Sequence, residues 1–423
     1  MTLSVGDQGG TSSHYKIFAN IFISFIGAGI LGLPFAFKEA GLYEGIIVMT
    51  LVGFFSVKAM LVLIDCRAKI INDATGSGKV LSPTTMDSAI DYGEVGFYAI
   101  GPAGKWLVEV SIIVSQLGFC CAYLIFISEN LHNLLSLDFP SLTKMHYLWI
   151  IIVPLIFLAN LRQLGSLGTF SIFAQMANGF ALSVVFWFDM KHHHLIKTHI
   201  KTVSFDGLPF FIAFSTCCFE GAGLVLSLES SVVPEMRNTF RRMFKIALVV
   251  ITGLYLMFGI CGYLSFGPET ASMITLNLPQ DIFPSVVIGC LCFSLFFTYP
   301  VMMFPVSKII DKMLCYPSTG GATDHALSTI MRTCLVFLTA VIVTQIPNFS
   351  NMMALVGSTC CVLLGFVLPG LFHWKLFSRE TKGVTMVIDI LLIVVGIIAG
   401  IVGLDDAVKR IWVNSANDTI SGT

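Results

Sequence analysis

The chain has 423 residues and a formal net charge of −1, which gives no support for binding nucleic acid. Charged residues make up 12% of the sequence, against about 25% in soluble domains. Hydrophobic residues make up 56% and the mean hydropathy is +0.86. This composition excludes an ordinary soluble protein and indicates an integral membrane protein with many spans.

Stretches of about 20 apolar residues, the length that crosses a bilayer, recur along the chain. They predict an all-α fold with about eleven transmembrane helices, and no gap between them is long enough for a soluble domain. A short amphipathic segment near 86–101 lies between the second and third spans. The predicted spans are, approximately, 16–38, 43–66, 104–134, 147–164, 167–190, 207–232, 243–266, 281–314, 326–346, 350–374 and 384–407.

Lys and Arg residues are concentrated in the loops on the side of the N-terminus, which places that side in the cytosol. We therefore expect a cytosolic tail over 1–15, one transmembrane domain over 16–410 and a lumenal or extracellular tail over 411–423. The twelve cysteines lie mostly in apolar runs, so neither a disulfide framework nor a metal site is expected.

The first span is interrupted by Gly27-Ala28-Gly29, which Gly32 and Pro34 follow closely. Glycines and a proline at this density weaken a helix. In lipid, each unpaired backbone group costs several kcal/mol, so such a break is stable only where it lines a cavity or meets a ligand. The alternative is a small-residue motif that packs two helices closely.

The break suits a zwitterionic amino acid. Amides that open the second half-helix carry partial positive charge for a carboxylate, and carbonyls that end the first half-helix suit an ammonium group. The predicted substrate-binding backbone consists of Phe25, Ile26, Gly27, Ala28, Gly29 and Ile30.

The tripeptide recurs in the sixth span as Gly221-Ala222-Gly223, directly after Phe219 and Glu220. Paired breaks in two halves of a chain indicate a transporter binding site, which makes simple close packing less favoured. We add Phe219 and Gly221 to the substrate-binding set. Because a charged side chain at mid-membrane depth costs about 2.5–3.5 kcal/mol, Glu220 is a candidate proton-coupling residue or partner of the substrate amine. Its alternative role is a helix cap or structural hydrogen bond.

Other polar residues lie within or beside the spans. Tyr123, at mid-depth in the third span, is predicted to touch substrate, with ordinary hydrogen bonding between helices as the alternative. Glu229 fits a structural role or a cytosolic gate. Lys58 and Asp389 are isolated charges in their spans. Lys58 serves a gate or an ion pathway, or else it snorkels to the interface or has a partner that the sequence does not reveal. Histidines at 192–194 and 199 form either a pH-sensing loop or a merely solvated one.

Three stretches resemble the amino acid/auxin permease family, in the same order and over nearly the whole chain. They are FANIFI with GAGILGLP at 18–34, FEGAGLVLSLE at 219–229 and TYPVMMFP at 298–305. The resemblance is closest to plant-type vacuolar neutral amino acid exporters, and the second stretch is similar to one in proton-assisted amino acid transporters.

The resemblance implies a LeuT-like fold of five plus five helices as inverted repeats, with broken helices 1 and 6. The first repeat would cover about 16–190, the second about 207–374, and an added helix about 384–407. Ile23 stands where sodium-coupled relatives carry Asn, which argues against sodium. Asn20 stands where animal proton-assisted relatives carry His, which leaves proton coupling open and gives Glu220 more weight.

Residues and resemblance together predict a secondary transporter of small neutral amino acids, not an enzyme. We expect alternating access, driven by a proton gradient without a cofactor, in a monomer within the lipid bilayer. A vacuolar or lysosome-like membrane is expected, with the plasma membrane as the alternative. The competing function is a membrane amino acid sensor that binds substrate and signals, but the short N-terminal tail favours transport.

Overall fold

The computed structural model describes residues 13–76, 90–136, 138–160, 168–192, 200–279, 281–314, 322–378 and 383–421. These residues form α-helices joined by short turns, and no β-strand occurs among them. Most of the N-terminal tail and the histidine-bearing loop at 193–199 lie outside the described residues. The helices are α1 His14–Phe25, α2 Leu33–Ala40, α3 Leu42–Gly76, α4 Tyr92–Ile100, α5 Pro102–Leu135, α6 Lys144–Ala159, α7 Gly168–His192, α8 Leu208–Cys218, α9 Ala222–Ser230, α10 Arg237–Phe266, α11 Ile282–Leu314, α12 Ala322–Gln345, α13 Phe349–Val356, α14 Leu368–Leu376 and α15 Val384–Ser421.

By length and composition, the described helices account for nine of the eleven predicted spans. Eight helical segments of the described chain are long and apolar enough to cross a bilayer, and α1 with α2 forms one further span bent by 50°. Two shorter apolar helices, Lys144–Ala159 and Met176–Phe188, lie where the fourth and fifth spans are predicted. The prediction of an all-helical membrane protein with a broken first span is confirmed.

The interrupted spans lie at the centre of the bundle, and the last span lies at its edge. In the sixth span, Phe205–Ser230, 67% of the most apolar 18-residue stretch is buried inside the protein. The corresponding share in the last span is 22%. Helix α1 packs on α10, α2 packs on both α8 and α10, and α8 also packs on α3 and α15. The exposed apolar side chains of α15, such as Val387 and Ile401, suit contact with lipid.

Helix α15 runs further than the sequence predicts. It continues past residue 407 to Ser421, through part of the segment expected to be a tail. Ion pairs one turn apart, Lys409 with Asp405 and Arg410 with Asp406 at 2.8 Å, stabilise this continuation. Polar residues therefore ended the apolar pattern without ending the helix.

The helix of the tenth span is irregular in a way that the sequence does not predict. Between α13 and α14, residues 357–361 and 363–367 form wider π-helical turns, which we call the π segment. A Cβ atom on Gly357 would lie 1.9 Å from the carbonyl oxygen of Ala213 in α8. Only glycine therefore permits this approach of two backbones. Widened turns of this kind occur frequently at functional sites.

Candidate functional site

In the first span, the chain leaves helical geometry immediately after Phe25. Gly27 is extended, with φ −124° and ψ −169°, and a 3₁₀ turn runs over Ala28–Gly32 before α2 begins. No side chain caps the N-terminus of that turn at Gly27. A Cβ atom on Gly27 would meet no atom within 4 Å, so the backbone at the break borders open space.

The sixth span has the matching interruption. Helix α8 ends at Cys218, and α9 begins at Ala222 after Gly221, which has φ −157° and ψ 2°. The carbonyl of Gly221 accepts the first backbone hydrogen bonds of α9, from Leu224 at 3.0 Å and Val225 at 2.9 Å. The peptide groups between the half-helices are thus set apart from the regular hydrogen-bonding pattern.

A single tyrosine of α10 joins the two breaks. The hydroxyl of Tyr255 donates to the carbonyl oxygen of Phe25 at 2.6 Å, and the carbonyl oxygen of Cys218 lies 3.2 Å from the same hydroxyl. These two carbonyls belong to the last residues of α1 and α8, where the helices end at the breaks. Tyr255 is 1% exposed, and its ring packs edge-on against Phe219 at 5.3 Å between centroids.

Direct packing also holds the breaks together. The Phe25 ring covers Gly221 so closely that a Cβ atom there would lie 2.3 Å from Cζ of Phe25. Gly29 faces the sulfur of Cys218 and the terminal methyl group of Met353, at 3.0 and 3.2 Å from its ideal Cβ position. The structure therefore brings Phe25 of span 1 against Gly221 of span 6, and Gly29 against Cys218, whereas the Phe219 ring faces Tyr255 and Gly53.

Glu220 lies between α8 and α9. Its carboxylate lies near the backbone N–H groups of Ala222 and Gly223, at the start of α9. Its buried Oε2 atom has no hydrogen-bond partner among the described residues. This carboxylate oxygen is therefore available for a ligand.

The surroundings of Glu220 belong to α4 and the π segment. It interacts electrostatically with Tyr92, Cys360 and Cys361. The Tyr92 hydroxyl donates to the carbonyl oxygen of Leu364 at 2.7 Å, and burial raises the pKa of this phenol well above its usual range. Tyr92 is thus a permanent donor that fixes the amphipathic segment α4 to the tenth span.

Tyr123 is buried on α5. It is 6% exposed and close enough to Cys217 of α8 for an electrostatic interaction. Tyr123 therefore faces the last turn of α8, beside the break and not within it.

A buried ion pair joins α9 to α3 near the C-terminal end of α9. Arg67 of α3 binds the carboxylate of Glu229 in α9, and its other terminal nitrogen donates to the carbonyl oxygen of Leu226 at 2.7 Å. Arg67 and Glu229 are 2% and 4% exposed. The predicted second span ends at residue 66, so Arg67 was expected in the loop that follows. The structure instead places Arg67 within α3, where its ion pair with Glu229 joins α3 to α9, as a gate requires. Next to it, Arg241 of α10 binds Asp65 of α3 at 2.6 Å.

Comparison with known protein families identifies the chain. The sequence profile of the family described as transmembrane amino acid transporter protein matches residues 10–408. The chain belongs to this family. It is 33% identical over 416 residues to amino acid transporter AVT3A of Arabidopsis thaliana, covering 96% of this chain and 91% of that protein. It is similarly 33% identical over 422 residues to amino acid transporter ANT1 of the same plant, with 93% and 92% covered.

A fungal relative is more distant. Vacuolar amino acid transporter 4 of Saccharomyces cerevisiae is 26% identical over 409 residues, which cover 88% of this chain and 54% of that protein. These relationships confirm the resemblance to amino acid permeases, and they establish a transporter of amino acids in place of an enzyme.

Solved structures agree on the fold of this transporter. The inward-facing conformation of Mhp1 superimposes with a TM-score of 0.60 at 11% identity, covering 96% of this chain and 92% of that one. MhsT in complex with L-phenylalanine gives a TM-score of 0.51 at 11% identity, with 95% and 100% covered. The LeuT-like fold implied by the sequence is confirmed.

One expectation about the polar residues of this transporter is wrong. Asp389 is not isolated, because its carboxylate lies 2.6 Å from Nδ1 of His373 in the neighbouring span. The ammonium group of Lys58 lies 5.7 Å from the centre of the Phe54 ring. Sequence reasoning also missed Tyr255, whose only signal was a phenol within an apolar run.

Proposed function

We propose that this chain moves small neutral amino acids across a membrane by alternating access around the two breaks, with a proton gradient as the driving force. The juxtaposition of the breaks carries the most weight. Two interrupted helices at the core of a transporter fold meet each other through Tyr255 and the Phe25–Gly221 contact. Backbone that leaves the helix at membrane depth is favourable where it replaces the hydration of a polar ligand.

The proposed site holds the amino acid by its backbone groups. Amides at the start of the 3₁₀ turn, from Ala28 to Ile30, receive the substrate carboxylate. The ammonium group meets the carbonyls of Phe25 and Ile26. Although Tyr255 already donates to Phe25, a carbonyl oxygen has two lone pairs and accepts a second hydrogen bond.

Substrate size and charge follow from the walls of the site. No basic side chain is present in the interrupted segments 25–30 and 219–223, and Glu220 is their only acid. A charged substrate side chain would therefore find little compensation in an apolar setting. Cys218 and Met353 approach Gly29 closely, which leaves space for a small side chain on that side. Phe219 and Tyr123 complete the pocket.

Alternating access requires the cytosolic end of α9 to leave α3 in part of the cycle. The Arg67–Glu229 pair is the contact that we assign to this gate, because it joins these two helices and excludes water from both charges. Breaking it exposes both groups to water together, so neither charge remains buried without its partner.

Glu220 is the residue that we assign to proton coupling. Its buried Oε2 atom has no hydrogen-bond partner among the described residues, which makes it a place where a proton binds. Neutralising the carboxylate also weakens its interaction with the α9 N-terminus, which links the proton to the geometry of the break.

We place the transporter in a vacuolar membrane, as a monomer with its N-terminus in the cytosol. The yeast relative is named for the vacuole. The cationic residues near the cytosolic gate, including Arg237, Arg241 and Arg242, support this orientation.

Uptake of labelled amino acids into proteoliposomes tests transport and its driving force. We expect saturable uptake of small neutral amino acids that increases with an inward proton gradient. Saturable binding without uptake would instead favour the sensor. Uptake that does not respond to the gradient would refute proton coupling while leaving transport intact.

Replacing Gly27 by valine tests the substrate site. Because a Cβ atom at Gly27 meets no neighbour within 4 Å, the new side chain enters the open space at the break without displacing the protein. We expect loss of uptake with normal insertion and thermal stability. Gly253→Val is the control, since Gly253 also has open space around its Cβ position but faces outward from α10. Normal uptake by correctly inserted Gly27→Val protein would exclude this site.

Replacing Glu220 by glutamine tests coupling. Glutamine has nearly the same size as glutamate and keeps an acceptor oxygen beside the start of α9, but it cannot bind or release the proton. We expect uptake to lose its dependence on the proton gradient, measured as the ratio of rates with and without the gradient. An unchanged ratio would remove Glu220 from the coupling role.

A further inference from the structure

A second pair of ionisable side chains lies within the bundle, away from both breaks. Nδ1 of His373 in α14 and Oδ2 of Asp389 in α15 are 2.6 Å apart. His373 is 4% exposed and Asp389 is 0% exposed. Asp389 is the sixth residue of α15, so it lies about 8 Å along the axis from the start of that helix. Ionisable residues at such positions in membrane helices are rare and usually functional.

The chemistry of this pair differs from that of the other buried ion pair. Glu229 is neutralised by Arg67, which is always charged, whereas Asp389 is opposed by a histidine, which gains and loses a proton near neutral pH. The second oxygen of Asp389 is buried and has no hydrogen-bond partner in the part of the chain that the structure describes. Among the described residues, His373 is the ionic partner that the structure gives Asp389, and it carries a positive charge only when its imidazole is protonated.

The neighbouring elements do not replace that charge. Helix α3 presents Cys66, which interacts electrostatically with Asp389. It also presents Lys69, whose ammonium group lies 3.9 Å from Asp73 and 5.0 Å from the centre of the Phe377 ring.

Helix α4 presents Tyr92, whose ring packs edge-on against Phe372 at 6.1 Å, and α14 itself carries Lys375. Helix α8 and the first π turn contact α15 further along, near Gly400 and Gly403.

We propose that His373 and Asp389 form a second proton-binding site, and this inference rests on the proposed proton-driven transport. With a neutral imidazole, Nδ1–H donates to the carboxylate and the pair carries one negative charge. Nε2 then accepts a proton from water, and the pair becomes an imidazolium–carboxylate pair with no net charge. Since burial of a net charge is unfavourable, the bound proton stabilises the contact between α14 and α15.

The site links the proton to the transport machinery through the tenth span. Helix α14 continues directly from the π segment, and two cysteines of that segment interact with Glu220. In the proposed orientation, the pair lies at the cytosolic end of the bundle, whereas Glu220 lies at the break. The pair therefore senses protons on the cytosolic side and sets the packing of α14.

Replacing His373 by glutamine removes the titrating group and retains an amide donor near Asp389. The full chain is reconstituted, and uptake is measured while the pH on the cytosolic face is varied between about 6 and about 8, the range in which histidine changes charge. We expect the wild-type rate to change several-fold over this range, and the rate of His373→Gln to change by less than about twofold. Asp389→Asn, which keeps an acceptor for the imidazole, should show the same flattened profile.

The control is Tyr299→Phe, which removes a buried hydrogen bond of 2.8 Å between Tyr299 and Thr339 without removing an ionic pair. If His373→Gln and Tyr299→Phe both lower uptake by a constant factor at every pH, the pair is only a structural hydrogen bond and the inference is overturned.

A second measurement keeps this test independent of transport. The thermal unfolding midpoint of purified wild-type protein should fall more between about pH 6 and about pH 8 than the midpoint of either variant, because only the wild type loses a bound proton from this contact. Equal falls in all three proteins would overturn the proton site. If wild-type uptake does not respond to a proton gradient at all, proton-driven transport fails, and the midpoints still decide whether the pair binds a proton.

Discussion

Replacing Gly221 by alanine should force the two broken helices apart, whereas the same change at Gly223 should not. The added methyl carbon at Gly221 would lie 2.3 Å from Cζ and 2.4 Å from Cε1 of Phe25, well inside contact distance. Phe25 has little room to retreat, since it is 4% exposed and packs edge-on against Phe244 at 6.0 Å. At Gly223 the methyl group would meet no atom within 4 Å.

The size of the effect follows from the overlap of a single methyl group. Inserting a methyl group into a packed interior costs about 1–3 kcal/mol. If this cost falls on the joined arrangement of the breaks, the population of that arrangement drops by roughly 5-fold to 150-fold. Gly223→Ala instead gains up to about 1 kcal/mol of helix propensity within α9.

Thermal unfolding in detergent and initial uptake rates in proteoliposomes, measured on matched amounts of inserted protein, separate the two variants. We expect a lower midpoint and slower uptake for Gly221→Ala, and near-normal values for Gly223→Ala. Equal behaviour of the two variants would refute the idea that Phe25 and Gly221 hold the breaks together.

Two further substitutions test the contacts around the site. Tyr255→Phe leaves the carbonyls of Phe25 and Cys218 without their shared donor, and a buried unsatisfied group costs about 1–3 kcal/mol, so both the unfolding midpoint and uptake should fall. Unchanged uptake would mean that the tyrosine does not support the breaks. Arg67→Met strands the carboxylate of Glu229 and should cost about 3–5 kcal/mol in stability, read as a lower unfolding midpoint. Adding Glu229→Leu should restore most of that loss, and a double variant no more stable than the single one would contradict the pairing.

Local sequence chemistry was sufficient to predict the membrane helices and both interruptions. A run of about 20 apolar residues has few alternatives to a membrane helix. The glycines clustered at 27–29 and 221–223 similarly lower the helix propensity of both segments, which is a property of the local sequence. Such features depend on a few neighbouring residues, so the printed sequence contains them in full.

The contacts between spans were not predictable in the same way. Tyr255 reaches a carbonyl 230 positions away, and Arg67 reaches a carboxylate 162 positions away. Hydrophobic periodicity gives the face of a helix but not the partner opposite it. Asp389 looked isolated for the same reason, since only the packing of α14 on α15 places His373 beside it.

The contact between Gly357 and Ala213 restricts how the bundle is able to deform. Where two helices meet through side chains, one slides over the other as rotamers adjust. At Gly357 the backbone of the π segment instead touches the backbone of α8 directly, at Ala213. When α8 tilts, the tenth span must therefore move with it.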